Sequence, residues 1–104
     1  MLFELRTYTL HPGHLAHYLD DFESRGLPVI SRYARLVGYW VVEVGELNQV
    51  VHIWSYDDAA HRATQRAKLY SDPAWTTGYL PGAVQHIVTQ RSALMTAAPF
   101  SPLA

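Results

Sequence analysis

The sequence lacks cysteine altogether, and this absence excludes several classes of protein. Without thiols there is no disulfide framework, no cysteine-ligated zinc site or iron–sulfur cluster, and no cysteine nucleophile. Charge is also scarce, because charged side chains make up 16% of the 104 residues and eight basic residues nearly balance nine acidic ones. A formal net charge of −1 gives no electrostatic reason to attract phosphate backbones or anionic lipid, so neither nucleic-acid binding nor membrane binding is expected.

Long hydrophobic runs and nucleotide-binding motifs are missing as well. No apolar stretch approaches the roughly 18 residues of a membrane-spanning helix, and no secretory leader precedes the first strand-like run. There is no Gly-x-Gly-x-x-Gly motif, P-loop, Gly-x-Ser-x-Gly elbow or His-Glu-x-x-His motif, which removes the usual support for dinucleotide binding, nucleoside-triphosphate binding, serine hydrolysis and zinc proteolysis. We therefore expect a soluble, cytoplasmic protein whose single domain spans residues 1–104.

Apolar periodicity predicts four strands and two main helices. Alternating side chains over Leu2–Thr9 indicate the first strand, and apolar residues at i, i+3, i+4 and i+7 indicate a helix over Pro12–Ser24 that ends at Gly26. The later predicted elements, in chain order, are a short helix over Pro28–Arg35, strands over Leu36–Val44 and Gln49–Tyr56, a helix over Ala59–Tyr70 and a strand over Ala83–Arg91. The tail after Ala93 has no clear period.

The second main helix carries a narrow stripe of small apolar residues that is predicted to pack on the sheet. This stripe consists of Ala60, Ala63, Ala67 and Tyr70. Polar residues of the same helix are expected to lie in solvent, namely Arg62, Gln65, Arg66 and Lys68. Asp57-Asp58 is predicted to cap this helix, and Asp72 is predicted to cap a further turn around Trp75.

The order β-α-β-β-α-β predicts a ferredoxin-like α+β fold, with an antiparallel sheet and both helices on one face. The third strand is apolar on both sides, since Val50 and Trp54 lie on one face and Val51 and Ile53 on the other. A strand exposed to water on one face alternates between apolar and polar residues, so the helix-free face is expected to pack against something. The simplest partner is a second copy of the chain, which would form a homodimeric α+β barrel with an enclosed, partly polar cavity in each half.

Several stretches, which together cover nearly the whole chain, resemble the NIPSNAP family. They are Glu4–Leu10 followed by Pro12-Gly13, then Gly38-Tyr39-Trp40, Gly45–Trp54, and Tyr56-Asp57-Asp58 running into Ala60-His61-Arg62. The resemblance implies the dimeric α+β barrel and a fold similar to that of small barrel monooxygenases, but no particular reaction. It also implies an association of eukaryotic members with mitochondria and protein partners, from which this chain departs by lacking a transit-like leader.

Candidate site residues lie on the even-numbered face of the first and third strands. We assign this face to the cavity, and we assign Phe3 and Leu5 to the core that packs on the helices. The predicted catalytic residues are His52 and Arg6, and the predicted substrate-binding residues are Glu4, Tyr8, Trp54 and His86. His86 is included because it occupies the matching face of the predicted last strand.

These residue types support two interpretations. A histidine near a carboxylate and an arginine can act as a general base, with Arg6 holding an anionic or enolic oxygen and Tyr8 donating a hydrogen bond. That chemistry suits proton abstraction, or cofactor-free oxygenation of an aromatic or polyketide-like molecule. In the alternative, Glu4 and Arg6 form an ion pair that fixes the dimer, and His52 is hydrogen-bonded between strands. Trp54 is either a stacking platform for a planar ligand or a core residue.

The sequence predicts no cofactor and no metal site. His14, His17 and Asp21 share one helix flank at i, i+3 and i+7, but no further ligand is near in sequence, so a solvated face is expected.

Two functions follow from these patterns. The first is binding of an apolar or aromatic metabolite between sheet and helices, with cofactor-independent chemistry at His52 and Arg6. The second is a non-catalytic module for protein–protein interaction. An open cavity that reaches solvent near His52 favours the first function, and a filled interior favours the second. A haem or metal site built from the histidines is a third, weaker hypothesis.

Overall fold

A four-stranded antiparallel sheet forms the centre of the protein in the computed structural model, which describes residues 1–103. The strands are β1 (Leu2–Leu10), β2 (Arg35–Val41), β3 (Gln49–Tyr56) and β4 (Ile87–Thr96). Their spatial order is β2-β3-β1-β4, so the first and third strands lie in the middle of the sheet. The predicted α+β fold with an antiparallel sheet is confirmed.

Helical segments connect the strands and cover one face of the sheet. In chain order they are α1 (Leu15–Asp21), a π-helical segment (Phe22–Gly26), α2 (Leu27–Ile30), α3 (Ala59–Leu69), α4 (Pro73–Thr76) and α5 (Leu80–Val84). Asp58 caps α3 by accepting a hydrogen bond from the backbone N–H of His61, and Asp72 caps α4 by accepting one from Ala74. Both predicted caps are confirmed. No helix in the described part of the chain is long and apolar enough to cross a membrane.

Gly26 does not end the first helix, contrary to the prediction. The backbone stays helical at Gly26, with φ −85°, and runs from α1 through the π-helical segment into α2. Glycine is needed there for space, because a Cβ atom would lie 2.8 Å from ring atoms of Tyr79 and 2.9 Å from Phe22. The residue therefore allows a buried ring to pack directly on the helix backbone.

The last strand begins later and ends later than predicted. Leu80–Val84 is helical, whereas β4 extends to Thr96 and includes part of the tail that has no clear period. Its pairing with β1 runs from Leu10↔Ile87 to Leu2↔Thr96. Tertiary pairing with a central strand thus decides the bounds of an edge strand whose own sequence pattern is weak.

Phe3 and Leu5 lie on the opposite face of the sheet from the one predicted. The even-numbered side chains of β1 and β3 face the helices, where Val50, Trp54 and Tyr56 belong to the main core. Phe3 lies on the opposite, helix-free face, where it lines a depression with Ile53 and Met95 under the C-terminal segment. Placing Phe3 and Leu5 in the helix-packed core is therefore wrong, because the large aromatic rings of β3 already occupy that side.

The inward face of α3 is also different from the predicted one. The stripe formed by Ala60, Ala63, Ala67 and Tyr70 is exposed, and Leu69 is the buried residue of this helix. Arg62, Gln65 and Arg66 are half-buried and lie on the sheet side. The reason is electrostatic, since a buried carboxylate on the sheet binds an arginine of this helix.

Candidate functional site

A cavity of about 150 Å³ lies between the helix-facing side of the sheet and the helices. Its polar wall contains Glu4, Arg6, Tyr8, His52, Arg66 and Gln90. Its aromatic wall contains Tyr18, Phe22, Trp54, Tyr56, Trp75 and Tyr79. Tyr70 and Val84 also line the cavity and are about half exposed, so its mouth lies between the end of α3 and the end of α5.

Glu4 is the fully buried acid of this site, at 0% exposure. Arg62 donates to both of its carboxylate oxygens, from Nε to Oε1 and from Nη2 to Oε2, each at 3.0 Å. Arg6 donates to Oε2 at 2.9 Å, and the Ser92 hydroxyl donates to the same oxygen at 2.6 Å. Four donors on one carboxylate compensate for the water that burial removes.

These contacts keep Glu4 ionised. Burial by itself would raise the pKa of Glu4, but the hydrogen bonds from Arg62, Ser92 and Arg6 and the charge of Arg6 lower it to about 2. Arg6 also donates from Nε to the Tyr8 hydroxyl at 2.8 Å and from Nη2 to Gln90 at 3.4 Å. Arg6 is thus held in place on three sides, with its guanidinium in the cavity wall.

His52 is neutral and has one fixed tautomer. The indole N–H of Trp54 donates to Nδ1 of His52 at 2.6 Å, so the ring proton of the neutral histidine is on Nε2. Burial, together with the charge of Arg6, lowers the pKa of His52 to about 3. The ring stacks on Tyr39 at 4.5 Å and meets the edge of Tyr8 at 4.8 Å.

Two buried donors of the cavity-lining residues have no hydrogen-bond partner within residues 1–103. They are Nε2–H of His52 and Nε1–H of Trp75, whose side chains are almost fully buried. The Tyr39 hydroxyl behind His52 is likewise unpartnered. Buried donors without a partner cost free energy, so such atoms mark places where a ligand or water can bind.

Arg66 is the second guanidinium of the cavity wall. Within the described residues no carboxylate lies within ion-pairing distance of it, and its Cζ atom lies 5.3 Å from the centre of the Tyr70 ring. Burial and the Glu4 charge raise the pKa of Tyr56, and the charge of Arg66 opposes that rise. The Arg66 guanidinium also lies within hydrogen-bonding reach of the Tyr56 hydroxyl, so it contacts a buried tyrosine of the cavity wall.

The structure brings five of the six candidate residues to one cavity and places the sixth elsewhere. This cavity lies between the sheet and the helices, so assigning these residues to a barrel interior on the helix-free face is wrong. Glu4, Arg6, Tyr8, His52 and Trp54 all line it. His86 precedes β4, so its assignment to the strand face is wrong: its Nδ1 lies 2.9 Å from Nδ1 of His14, and its ring packs on His17. Within residues 1–103, no group of three or more His, Asp or Glu side chains is arranged to hold a metal ion.

The sequence-based reasoning missed Arg62, Ser92 and the aromatic wall contributed by the helices. Arg62, Arg66 and Leu69 follow at i, i+4 and i+7 on one helix face. That spacing was the available signal, but the alanine stripe on the opposite face competed with it. Ser92 lies opposite Arg6 in β4 and could be located only through the strand register.

An antiparallel sheet with an aromatic cavity beneath its helices defines a ferredoxin-like α+β protein with an internal site. The chain belongs to the NIPSNAP family, whose model matches residues 3–102.

Its relatives include eukaryotic and bacterial proteins. It is 35% identical over 104 residues to human Protein NipSnap homolog 3A, an alignment that covers 99% of this chain and 42% of the human protein. The chain thus spans less than half the length of that relative. A NIPSNAP domain protein from Burkholderia xenovorans is 41% identical, with a TM-score of 0.94 and coverage of 98% and 99% of the two chains. A NIPSNAP family protein from Agrobacterium tumefaciens is 37% identical, with a TM-score of 0.96 and coverage of 100% and 94%.

The fold is also similar to that of a more distant enzyme. SnoaB from Streptomyces nogalater, a cofactor-independent oxygenase, is 21% identical and has a TM-score of 0.66, with 97% of this chain and 96% of the SnoaB chain covered. At this level of identity the likeness concerns the fold alone. The chain therefore shares its fold with this oxygenase.

Proposed function

We propose that this chain binds a small aromatic or apolar metabolite in the cavity between sheet and helices, with Arg6 and His52 as its principal polar contacts. Glu4, Tyr8 and Trp54 belong to the same site: Glu4 positions Arg6, Tyr8 accepts a hydrogen bond from it, and Trp54 fixes the His52 tautomer. His86 is not part of this proposal, because it lies outside the cavity.

The observation that carries the proposal is an aromatic cavity that is open to solvent and contains buried donors without partners. A volume of about 150 Å³ equals that of an engineered protein cavity that binds benzene, so the space suits one aromatic ring. A filled interior would have favoured a module that only binds other proteins. An apolar pocket with a few convergent polar groups is instead typical of a small-molecule site.

Chemistry at this site would use His52 as a hydrogen-bond donor rather than as a general base. A pKa near 3 makes His52 a weak base at neutral pH, and a pKa near 2 makes Glu4 a weaker one. Donation from Nε2–H of His52 and from Arg6 would stabilise negative charge on a bound oxygen. Among cofactor-independent monooxygenase-like or isomerase-like reactions, these residues best fit one whose substrate enters the site already deprotonated.

We also propose that the chain forms a homodimer through the helix-free face of the sheet. Leu5, Val51 and Ile53 lie on this face and are only half-buried in one chain, and Trp40 beside them is half exposed. A second copy would cover these side chains and leave the cavity on the other side of the sheet accessible.

Binding of phenol tests the cavity directly. Phenol offers one ring and is neutral at pH 7, and saturation-transfer NMR detects weak binding. We expect the wild-type chain to bind phenol and the Ala83→Leu variant to lose binding, because Ala83 is buried in the cavity wall and a larger side chain fills the space. Ala63→Leu is the matched control, since Ala63 is exposed on α3 and does not line the cavity.

Thermal unfolding of both variants shows whether they fold. Equal phenol binding by the two folded variants would place the ligand outside the cavity and contradict the proposal, as would the absence of binding to the wild-type chain.

A further inference from the structure

We propose that the ligand of this cavity is an aromatic acid, a single-ring molecule with an anionic oxygen that Arg66 and Arg6 recognise. This inference rests on the proposed function and adds the charge of the ligand to it. Arg66, which lines the cavity and has no carboxylate partner within residues 1–103, is then the residue that selects acidic ligands over neutral ones.

The charge around the cavity is positive. Arg6 and Arg62 both pair with Glu4, and Arg66 adds a third guanidinium to the same region. Three guanidinium groups and one carboxylate leave a net charge of +2, with His52 neutral. Partly buried charge of one sign attracts a ligand of the opposite sign, because the surrounding protein screens it less than water does.

Arg66 has no carboxylate partner in the described part of the chain. The oxygens of Glu4 already accept four hydrogen bonds from Arg62, Arg6 and Ser92, so Glu4 has little capacity left for a third arginine. Across residues 1–103, neither Glu4 nor any other carboxylate lies within ion-pairing distance of Arg66. Its guanidinium is packed on the Tyr70 ring near the mouth of the cavity and lies within hydrogen-bonding reach of the Tyr56 hydroxyl. A guanidinium has five N–H donors, so a contact with Tyr56 leaves donors for an acidic ligand.

Two buried hydrogen-bond donors of the cavity-lining residues have no partner among residues 1–103. Nε2–H of His52 and Nε1–H of Trp75 can only donate, and both belong to residues that line the cavity. A ligand that fits these groups supplies acceptors. A carboxylate or a phenolate supplies acceptors only, whereas an amine supplies donors and would leave the buried N–H groups unsatisfied.

The size of the space limits the rest of the molecule. One aromatic ring fills about 150 Å³, and the aromatic wall of Phe22, Trp54 and Tyr79 offers it ring faces and edges. With the ring against this wall, an acidic substituent lies toward the polar wall and Arg66.

Three probes with the same ring and different charge test this inference. Titration calorimetry at pH 7 compares benzoate, benzamide and benzylamine on the wild-type chain. We expect benzoate to bind at least about tenfold more tightly than benzamide, and benzylamine to bind most weakly, because charge-assisted hydrogen bonds are stronger than neutral ones. Raising the salt concentration should reduce the advantage of benzoate, because the cavity is open at one side.

Two charge-removing variants identify the responsible residue. Arg66→Gln is expected to bring the affinity for benzoate to within about threefold of that for benzamide. Lys68→Gln removes the same charge from the same helix at an exposed position outside the cavity, and it should retain the wild-type preference.

The outcomes separate this inference from the proposed function. If benzamide binds the wild-type chain as tightly as benzoate, or if benzylamine binds best, the cavity binds aromatic rings but does not select acids, and this inference is wrong. If Lys68→Gln loses the preference as fully as Arg66→Gln, the selection is a general charge effect and the role of Arg66 is refuted. If none of the probes binds, including phenol, the proposed function fails as well.

Discussion

At the scale of single residues, Glu4 and His52 show how neighbours determine the protonation of buried groups. Both side chains are almost completely removed from water, and burial alone disfavours the charged form of each. Glu4 nevertheless stays charged because it accepts four hydrogen bonds, three of them from guanidinium groups. His52 loses its charge because its neighbours are aromatic rings and a cation. The same strands thus place an anion and a neutral donor side by side.

Replacing Glu4 by glutamine should lower the free energy of unfolding at pH 7 by about 3 kcal/mol, because two arginines then lose their buried anion. The pKa of Glu4 is lowered to about 2 in the folded chain, so its ionised form stabilises the fold above the ordinary pKa of 4.5. That stabilisation is lost as the pH falls toward 2. Urea unfolding at several pH values should therefore show the wild-type chain and the variant converging in acid.

Glu23→Gln serves as the control for this comparison, since Glu23 is exposed and the change should stay within about 0.5 kcal/mol. A Glu4→Gln variant as stable as the wild type at pH 7 would show that the arginine cluster does not need the carboxylate.

At the scale of secondary-structure elements, both the strands and the helices supply residues that line the cavity. β1 and β3 provide most of the polar wall, to which α3 adds Arg66 and β4 adds Gln90. The aromatic wall comes mostly from α1, the π-helical segment, α4 and the turn after α4. Gly26 lies where the π-helical segment meets Tyr79, and the two rings Phe22 and Tyr79 pack at 6.0 Å. A π-helical turn shifts the side chains that follow it, and such turns are frequent at functional sites.

Adding a single methyl group at Gly26 should destabilise this contact. In Gly26→Ala the new Cβ would meet the Tyr79 ring at 2.8 Å, and overpacking of this kind costs about 1–3 kcal/mol. We expect a lower midpoint in chemical unfolding and weaker binding of phenol, because Tyr79 lines the cavity.

Gly82→Ala is a matched control in α5. Its Cβ would approach only the end of the Arg25 side chain, at 3.7 Å, which is an ordinary contact. This variant should be as stable as the wild type or slightly more stable, because alanine has a higher helix propensity than glycine. Equal effects of the two substitutions would rule out the packing role assigned to Gly26.

At the scale of the whole molecule, the sheet divides the chain into two functional sides. The helix-facing side contains the core and the cavity, and the opposite side presents Leu5, Val51, Ile53 and Trp40. Such a face is more apolar than water-exposed sheets normally are. The proposed homodimer would bury it without blocking the cavity mouth between α3 and α5.

A charge on the edge strand β2 of that face should weaken the dimer. Trp40 is half exposed on the helix-free face, so Trp40→Asp is expected to raise the dimer dissociation constant at least about tenfold. Native mass spectrometry over a range of concentrations measures the change. Val44→Asp places the same charge on a residue that is 94% exposed, outside the strands, and should leave the dimer intact. A wild-type chain that is monomeric at all concentrations would overturn the proposed homodimer.

The sequence by itself determined the local and periodic features. The alternation in β1 and β3, the aspartate caps of α3 and α4 and the order of the elements follow from nearby residues, and these features were sufficient for the fold class. The even-numbered candidates Glu4, Arg6 and His52 share one face because side chains in a strand alternate.

Only the tertiary structure decided which side of the sheet the helices cover, and with it the position of Phe3 and the inward face of α3. Both sides of the sheet are apolar, so periodicity could not choose between them. The spacing of Arg62, Arg66 and Leu69 marks one face of α3, but the contact of Arg62 with Glu4 across 58 residues decided that this face packs on the sheet. The bounds of β4 and the place of His86 likewise depend on pairing between distant segments. Long-range packing and charge pairing decide these features, because each feature depends on residues that are close in space but distant in sequence.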